Sequence, residues 1–552
     1  MPQKHVNAVI IGSGAGGGIV AKELSEAGLS VVLLERGGWP HFQDHPHDEL
    51  ISQIWYAPIG AAFGPDNARN FRMVREEDGS WRKALPSDPS FSNIAACVGS
   101  GTANYGAMAW RFLQTDFRMR SVYGSVEGST LEDWPISYED LEPFYQKAEW
   151  EIGVSGDDSR NPFAPPRGKP LPMPPQPYTL EARILEPAAA RLGLHPFPIP
   201  MLRNSEPYGG RPACIRCRYC VGFACEVNAK NGTHNTAIPR ALATGNCDLR
   251  TNAVASEILV DERGRARAVR YYDAGDRPQE QTADIVVVSG GAIETARLLL
   301  NSRSRLFPDG AGNRYGWVGR NLQGHAYTEA WGLFEKETLD DVGPGACIAI
   351  CDFCHGNPGL KSGGILANDF IRLPYCFTTV RPPGSVGWGR VHKEFQRTWF
   401  RRSITIKGPV QEMPVFDARV EVDPSEKDHW GIPVARLSGH RHPHDIEVAR
   451  FLSSKGADWL KEAGAIQTWT GVPGPGLSGG QHQAGTCRMG TDPKTSVTSP
   501  FGQVHDLENL FIADGSLHVT NGGMNPVLTI MAIAYRVSDF IRREWKGTNL
   551  RS

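Results

Sequence analysis

The stretch Val9-Ile10-Ile11-Gly12-Ser13-Gly14-Ala15-Gly16-Gly17-Gly18, with Glu35 eighteen residues beyond Gly17, decides the fold. The apolar run Ala8 to Ile11 reads as a buried strand, the glycines as a turn, and Ile19 to Ala27 carries helical periodicity. A second apolar run, Val31 to Leu34, ends at the acid. That order predicts the dinucleotide-binding unit of a doubly wound α/β sheet. Gly12 permits the tight turn, Gly14 lets the backbone approach a pyrophosphate, and Gly17 lets helix pack on strand. The helix N-terminus offers free N–H groups to the anion, and Glu35 would bond a ribose diol.

A chain of 552 residues exceeds what one core supports; at ~100–200 residues per domain it divides into two or three. Its 40% hydrophobic and 21% charged content belongs to a globular protein, and 61 Gly with 41 Pro forecast long irregular connections. A net charge of −2 argues against nucleic acid as a main partner. No apolar run approaches the ~20 residues that span a bilayer. The first strand starts within eight residues of the beginning, which leaves no room for a signal peptide. The expected location is therefore cytoplasmic, or periplasmic by co-export with a signal-bearing partner subunit.

Residues 40–93 show no sustained period and read as a covering segment. In Val98-Gly99-Ser100-Gly101-Thr102-Ala103-Asn104-Tyr105-Gly106-Ala107-Met108-Ala109-Trp110-Arg111 the small residues let the backbone lie against something flat and large, such as an isoalloxazine ring. Ser137 and Asp140 predict a capped helix with Leu141, Phe144, Tyr145 and Ala148 on one face. Residues 158–230 form a proline-rich linker, with a short helix over Leu180 to Leu192, that leads into a cysteine cluster. Cys214, Cys217, Cys220 and Cys225 are spaced C-x2-C-x2-C-x4-C, while the other seven of the 11 cysteines are scattered. Such a run suits an iron–sulfur cluster held by thiolates. Structural zinc, whose ligand pairs generally stand farther apart in sequence, and disulfides are the other readings.

Ala253 to Val260 and Ala266 to Tyr272 read as a hairpin, and Ile285 to Leu300 as a second strand, glycine turn and helix of the parallel sheet. Between 326 and 472 the character changes to short alternating strands and a helix from His444 to Ala463, which predicts an inserted sheet-plus-helix domain. The final block holds His482-Gln483-Ala484-Gly485-Thr486-Cys487-Arg488-Met489-Gly490, a strand ending at Asp514, and Asn521 to Pro526 opening a long helix. Pro526 suits the first helical position and Asn525 the N-cap.

Taken in order, the N-terminal fingerprint, Val98 to Arg111, Gly291-Ala292-Ile293-Glu294-Thr295 and His482 to Ile530 resemble the glucose-methanol-choline (GMC) family of flavin oxidoreductases over nearly the whole chain. Trp110-Arg111 and the cysteine run resemble its bacterial sugar dehydrogenase branch (glucose, gluconate and glucoside 3-dehydrogenases) more than the fungal oxidases. The resemblance implies a Rossmann-like FAD-binding domain over 1–325, completed by 473–552. An α+β substrate domain on an antiparallel sheet, 326–472, would be inserted between them. It implies FAD contacts from Gly12, Gly14, Ala15, Gly17, Glu35 and Arg36, and from Gly99, Thr102, Asn104, Tyr105, Gly106 and Ala107. Val254, Gly291, Asp514, Gly515, Asn525 and Pro526 complete that set. Ala484 and Ser100 stand where family patterns vary.

The reaction so implied oxidises a sugar, polyol or alcohol hydroxyl by hydride transfer to the flavin. His482 is the expected base, since histidine titrates in the useful range, and Asn525 would fix the same oxygen. His518 and His325 are rivals for the base. Glu412 and Trp430 are candidates for contacts to substrate hydroxyls and rings. The four cysteines would hold a three-iron or four-iron cluster passing electrons to a small subunit, a cytochrome c or a quinone. An oxygen-using oxidase and a non-redox flavin lyase are the alternatives within the family. A NAD-dependent dehydrogenase would share the fingerprint without requiring Asp514 and Asn525.

Overall fold

The computed structural model describes residues 4–50, 63–369, 373–478 and 480–546. Strand Val6–Ile11 lies between Val31–Leu34 and the end of the long strand Pro278–Val288, parallel to both. Val9 stands opposite Val32 on one side and Val286 on the other. Helices cover both faces of such a sheet, which is why these strands are unbroken apolar runs rather than alternating ones. Cys247–Arg250 extends the sheet beyond Val31–Leu34, and Leu510–Ile512 pairs in parallel with Val286 to Val288. The first half of Pro278–Val288 turns away to pair antiparallel with Ala266–Tyr272, which pairs in turn with Val254–Val260. The expected hairpin and the expected second parallel strand are thus one continuous structure.

The order brings three turns from distant parts of the chain to the carboxyl ends of the strands. Gly12 sits at φ +94, and a Cβ there would stand 2.4 Å from the Ser289 carbonyl oxygen. At Gly16 a Cβ would stand 1.6 Å from the carbonyl oxygen of Ala513. The first helix, Gly17–Glu26, starts at this contact and packs against the last, Val527–Lys546. The helix capped by Ser137 runs Tyr138–Ala148 with its capping box formed, and packs on that last helix as well.

A second sheet is antiparallel and six-stranded. Its order is Gln467–Gly471, Tyr327–Leu333, Ser403–Pro409, Leu366–Asn368, Ile348–Ile350 and Phe197–Pro198. Helix Pro443–Glu462 lies on its back, where Gly456 leaves room for Ala330 and Ile406. Because side chains alternate along a strand, Thr328 and Ala330 are buried on one face while Tyr327, Glu329 and Trp331 occupy the other.

Two strands inside the stretch 326–472, Arg419–Lys427 and Pro433–Ser438, do not join that sheet. They pair with each other, Pro433–Ser438 pairs in parallel with Arg72–Arg75, and Arg72–Arg75 pairs with Trp81–Ala84, which makes a separate four-stranded sheet. The covering segment 40–93 therefore contains strands where sequence shows no period. Each is four residues long and rich in Arg and Lys, whose aliphatic stems pack while their heads bond, as where Arg436 lies over the Trp81 ring at 4.0 Å. Residues 51–62 of that segment, Gly479, and 547–552 of the final block lie outside the described residues.

Gly16→Ala would drive a methyl group into a backbone carbonyl that has nowhere to move, and is expected to destabilise by more than ~1–3 kcal/mol. Gly28→Ala, at φ +86 with nothing within 4 Å, carries only backbone strain and should cost ~1 kcal/mol. Urea unfolding of both variants compares the two.

Candidate active site

A cleft runs from the carboxyl ends of the parallel strands to the open face of the antiparallel sheet, the side on which open α/β sheets bind ligands. It consists of two adjoining cavities of about 780 and 1580 Å³ that share Gly14, Ser100, Ser289 and Gly290. Gly12, Glu35, Arg36 and Val254 line the first. Ala15, Thr102, Asn104, Tyr105, Gly106 and Ala107 line the second. So do Gly291, Asp514, Gly515, Asn525, Pro526 and His482. Gly17 and Gly99 line neither. A Cβ at Gly17 would meet the Gly12 carbonyl oxygen at 1.9 Å, and the Gly99 N–H donates to Ser13 Oγ at 3.0 Å. Both shape the floor from behind.

Glu35 is buried. Its Oε2 accepts from Ser13 N and Oγ at 3.0 and 2.6 Å, and its Oε1 from Gly37 N at 3.0 Å. Burial pushes its pKa up against the pull of these donors. Arg36 forms an ion pair with Glu294 at 3.2 Å, and Glu294 also pairs with Arg72 at 2.6 Å and Arg297 at 3.3 Å. Burial alone would raise the Glu294 pKa; the three guanidiniums hold it well below the usual carboxylate range.

Asp514 clamps the chain together. One oxygen accepts from Gly291 N at 2.9 Å and Thr295 Oγ1 at 2.6 Å, the other from Ser516 N at 2.9 Å and Oγ at 2.6 Å. It lines the cleft while fixing the turn before helix Ala292–Asn301 to the loop before the last helix.

At the far end stand His482 and Asn525. The backbone of His482 takes φ +56, a conformation that costs a non-glycine residue ~1–3 kcal/mol and is held by its surroundings. Asn521 Nδ2 donates to its carbonyl oxygen at 2.7 Å. Its ring Nδ1 lies 2.8 Å from His325 Nδ1. His325 Nε2 faces two carbonyl oxygens, Gly522 at 2.8 Å and Asn521 at 3.2 Å, so that nitrogen must carry the proton. Neutral His325 then accepts at Nδ1, His482 donates from Nδ1, and His482 Nε2 is left unprotonated at the cleft, an acceptor 3.4 Å from the Asn525 amide nitrogen. Burial, with His325 alongside, holds the His482 pKa well below its ordinary value of 6.5.

Asn525 is oriented just as firmly. Trp110 Nε1 donates to its Oδ1 at 3.2 Å, so its amide nitrogen points to the Tyr327 hydroxyl at 3.2 Å and His482 Nε2 at 3.4 Å. The helix behind it runs Val527–Lys546, and the first N–H to bond back within it is that of Ile530, to Pro526. The N–H groups before Ile530 have no partner within the helix, and both Pro526 and Val527 line the cleft.

The rival histidines stand elsewhere. His325 is buried behind His482, and His518 is fully buried beside Phe112 and Trp134, bonded to Asn521 Oδ1 at 3.0 Å. Neither lines the cleft. The Glu412 carboxylate is occupied by Ala326 N at 2.6 Å, Ser478 Oγ at 2.5 Å and Arg441 at 3.3 Å. Trp430 donates to Asp276 at 2.9 Å, away from the catalytic end. Trp110 and Tyr327, which orient Asn525, and the relay through His325 have no signal in the sequence. Trp110 belongs to the motif Val98 to Arg111, but nothing in a sequence says where an indole N–H points.

The four cysteines face one small cavity of about 310 Å³ together with Arg203 and Lys230, both buried. No disulfide joins them, and among the described residues no three His, Cys, Asp or Glu side chains are grouped to hold a metal ion. Lys230 Nζ bonds only carbonyl oxygens, of Cys220 at 2.6 Å and Phe223 at 2.8 Å, and Arg203 Nε and Nη1 have no partner. Val221, next to Cys220, lines the main cleft.

Glu294→Gln strips three guanidiniums, one fully buried, of their shared anion and is expected to cost about 3–5 kcal/mol, measured as a lowered urea midpoint. Glu294→Asp should recover part of the loss.

Residues 128–327 and 414–534 match the N- and C-terminal domains of a family described as GMC oxidoreductase. The chain is 32% identical to 2-methyl-1,2-propanediol dehydrogenase of Mycolicibacterium austroafricanum, over 98% of this chain and 96% of that one. It is 28% identical to the gluconate 2-dehydrogenase flavoprotein of Pantoea cypripedii, over 98% and 94%. A formate oxidase of Aspergillus oryzae shares its fold at 16% identity, with a TM-score of 0.63 over 99% of this chain and 100% of that one.

Proposed function

This chain belongs to the GMC oxidoreductase family, and on that premise we propose that it oxidises a CH–OH group of a sugar, polyol or other alcohol with FAD as acceptor. The observation that carries the reading is the relay Gly522 carbonyl, His325, His482, which leaves one unprotonated nitrogen facing the cleft beside an oriented amide. The glycine floor fits a dinucleotide, because Gly12 lines the first cavity, Gly14 borders both, and neither puts a side chain between the backbone and a bound pyrophosphate. FAD, when bound, supplies the hydride acceptor.

The chain's own residues do the rest. Asn525 donates its amide N–H to the substrate oxygen and holds it within reach of His482 Nε2, which takes the hydroxyl proton. The Nδ1–H bond to His325 keeps the ring from turning and fixes which nitrogen is basic. Because the His482 pKa is depressed, the base is unprotonated across neutral pH. The unpaired N–H groups at the start of Val527–Lys546 place partial positive charge at the cleft, stabilising negative charge there by ~0.3–2 kcal/mol.

The purified protein should show a flavin spectrum that bleaches on anaerobic addition of a sugar or alcohol; a colourless protein would sink the reading. His482→Ala is expected to keep the flavin and slow its reduction by ~10²–10⁴-fold. For the wild-type enzyme the rate of reduction rises with pH as the base loses its proton, and the depressed pKa puts the inflection well below pH 6.5. An inflection at or above 6.5 removes His482 from the role.

We further propose that Cys214, Cys217, Cys220 and Cys225 hold an iron–sulfur cluster. Cluster thiolates bind different irons and need not converge on one point, as the ligands of a single zinc must. Two buried cations bonded by no carboxylate among the described residues suit an anionic group in that cavity, and Val221 joins its wall to the main cleft. Electrons would leave by this route to a small subunit, cytochrome c or quinone, making the enzyme a dehydrogenase rather than an oxidase. Three or four irons per chain with matching acid-labile sulfide, lost together in Cys220→Ser, are expected. Iron-free protein that reduces oxygen rapidly would favour the oxidase.

A further inference from the structure

The antiparallel sheet carries its open face beyond the catalytic end. Tyr327, which bonds Asn525, begins a strand whose next residues on the same face are Glu329 and Trp331, reaching ~14 Å along the strand. Register places Glu329 between Gly471 and Lys407, and Trp331 between Trp469 and Thr405. These two rows floor a further cavity of about 1420 Å³, walled on its other side by Leu373, Phe377 and Val380.

The floor mixes two chemistries. Trp331 and Trp469 stack at 5.8 Å with planes 14° apart, and Gly471 leaves space over which the Trp331 ring lies. Beside them Lys407 bridges Glu329 at 3.0 Å and Asp369 at 3.3 Å. The one ammonium takes only part of the acceptor capacity of Glu329. The catalytic machinery uses none of these groups.

We propose that these rows form a distal carbohydrate subsite, which holds a non-reacting ring of a glycoside while a hydroxyl of another ring stands at His482 and Asn525. A pyranose offers C–H faces to an indole and a rim of hydroxyls to carboxylates, and this floor presents both at once. An alkyl chain in the same place would strip water from the Lys407–Glu329 ion pair and offer no hydrogen bond in return. The inference rests on the proposed alcohol oxidation for where the reacting ring lies and extends it to substrates longer than a monosaccharide. Binding energy from the remote ring would then be available to position the reacting one.

Calorimetric titration of the dithionite-reduced holoenzyme, which cannot turn over, tests occupancy apart from chemistry. Glucose, cellotriose, maltotriose and 1-decanol are the probes, against wild type, Trp469→Ala and Trp469→Phe. At least one trisaccharide should bind tenfold or more tighter than glucose. Trp469→Ala should erase that preference and Trp469→Phe keep most of it. Trisaccharides binding no tighter than glucose, a preference intact in Trp469→Ala, or decanol binding tighter than either trisaccharide would each overturn the subsite. If sugars reduce the flavin but this preference is missing, the subsite fails and the proposed reaction stands. If Trp469-dependent trisaccharide binding occurs without any flavin reduction, the reverse holds.

Discussion

Everything in this molecule hangs on the contact of three backbone turns that are hundreds of residues apart in sequence. The glycine turn after the first strand touches the carbonyl of Ser289 at Gly12 and that of Ala513 at Gly16, distances at which no side chain fits. Ser289 Oγ donates to the Ala513 carbonyl at 3.0 Å, and Asp514 binds Gly291 N, so the second and third turns are locked to each other as well. Such closeness is achieved only when Val6–Ile11, Pro278–Val288 and Leu510–Ile512 are already in register. The cleft therefore exists only where all three strands are in place. It cannot exist in a fragment lacking either end of the chain.

The same contact decides where chemistry can occur. With Ala513 and Asp514 held, the chain continues directly into the loop that carries Asn521 and Asn525 and then into the last helix. Asn521 reaches the His482 carbonyl, and the carbonyls of Asn521 and Gly522 fix His325. His482 and Asn525 are thus hung from the glycine-turn end of the cleft by one short segment, in which each side chain named has a bonded partner. A histidine in the left-handed region, with both ring nitrogens assigned by neighbours, is a position paid for by the rest of the fold.

What sequence disclosed follows from the range of the forces involved. The parallel strands, the hairpin at 254–272 and the capped helix at 138 were legible because periodicity and caps are local. The glycine fingerprint was legible because close backbone approach admits only one residue type. The strands at 72–75 and 81–84 were hidden: they pair with each other, but each is four residues long, half of them Arg or Lys, and Pro433–Ser438, which ties Arg72–Arg75 into a sheet, lies hundreds of residues away. Glu412 looked available for substrate, yet backbone N–H groups and Ser478 claim it. Asp514 lines the cleft and also binds two turns of the chain together, a second task that the sequence does not show. What both residues required was a hydrogen-bond account, which needs coordinates because every buried polar atom has to be assigned a partner.

The antiparallel sheet shows how one strand serves two masters. From Tyr327 to Trp331, odd positions face the open side of the sheet and even positions face helix Pro443–Glu462, so the contact of Tyr327 with Asn525 and the core contact of Ala330 are coupled by the pleat. A slip of one residue against Ser403–Pro409 would bury Glu329 and Trp331 and expose Ala330. Gly456 makes that slip costly, because it admits Ala330 so closely that a tryptophan or glutamate could not take its place. The register that positions Tyr327 against Asn525 is accordingly enforced from the opposite face of the sheet. Substrate-facing residues can vary there without disturbing the core, whereas the core-facing ones cannot vary without moving the active site.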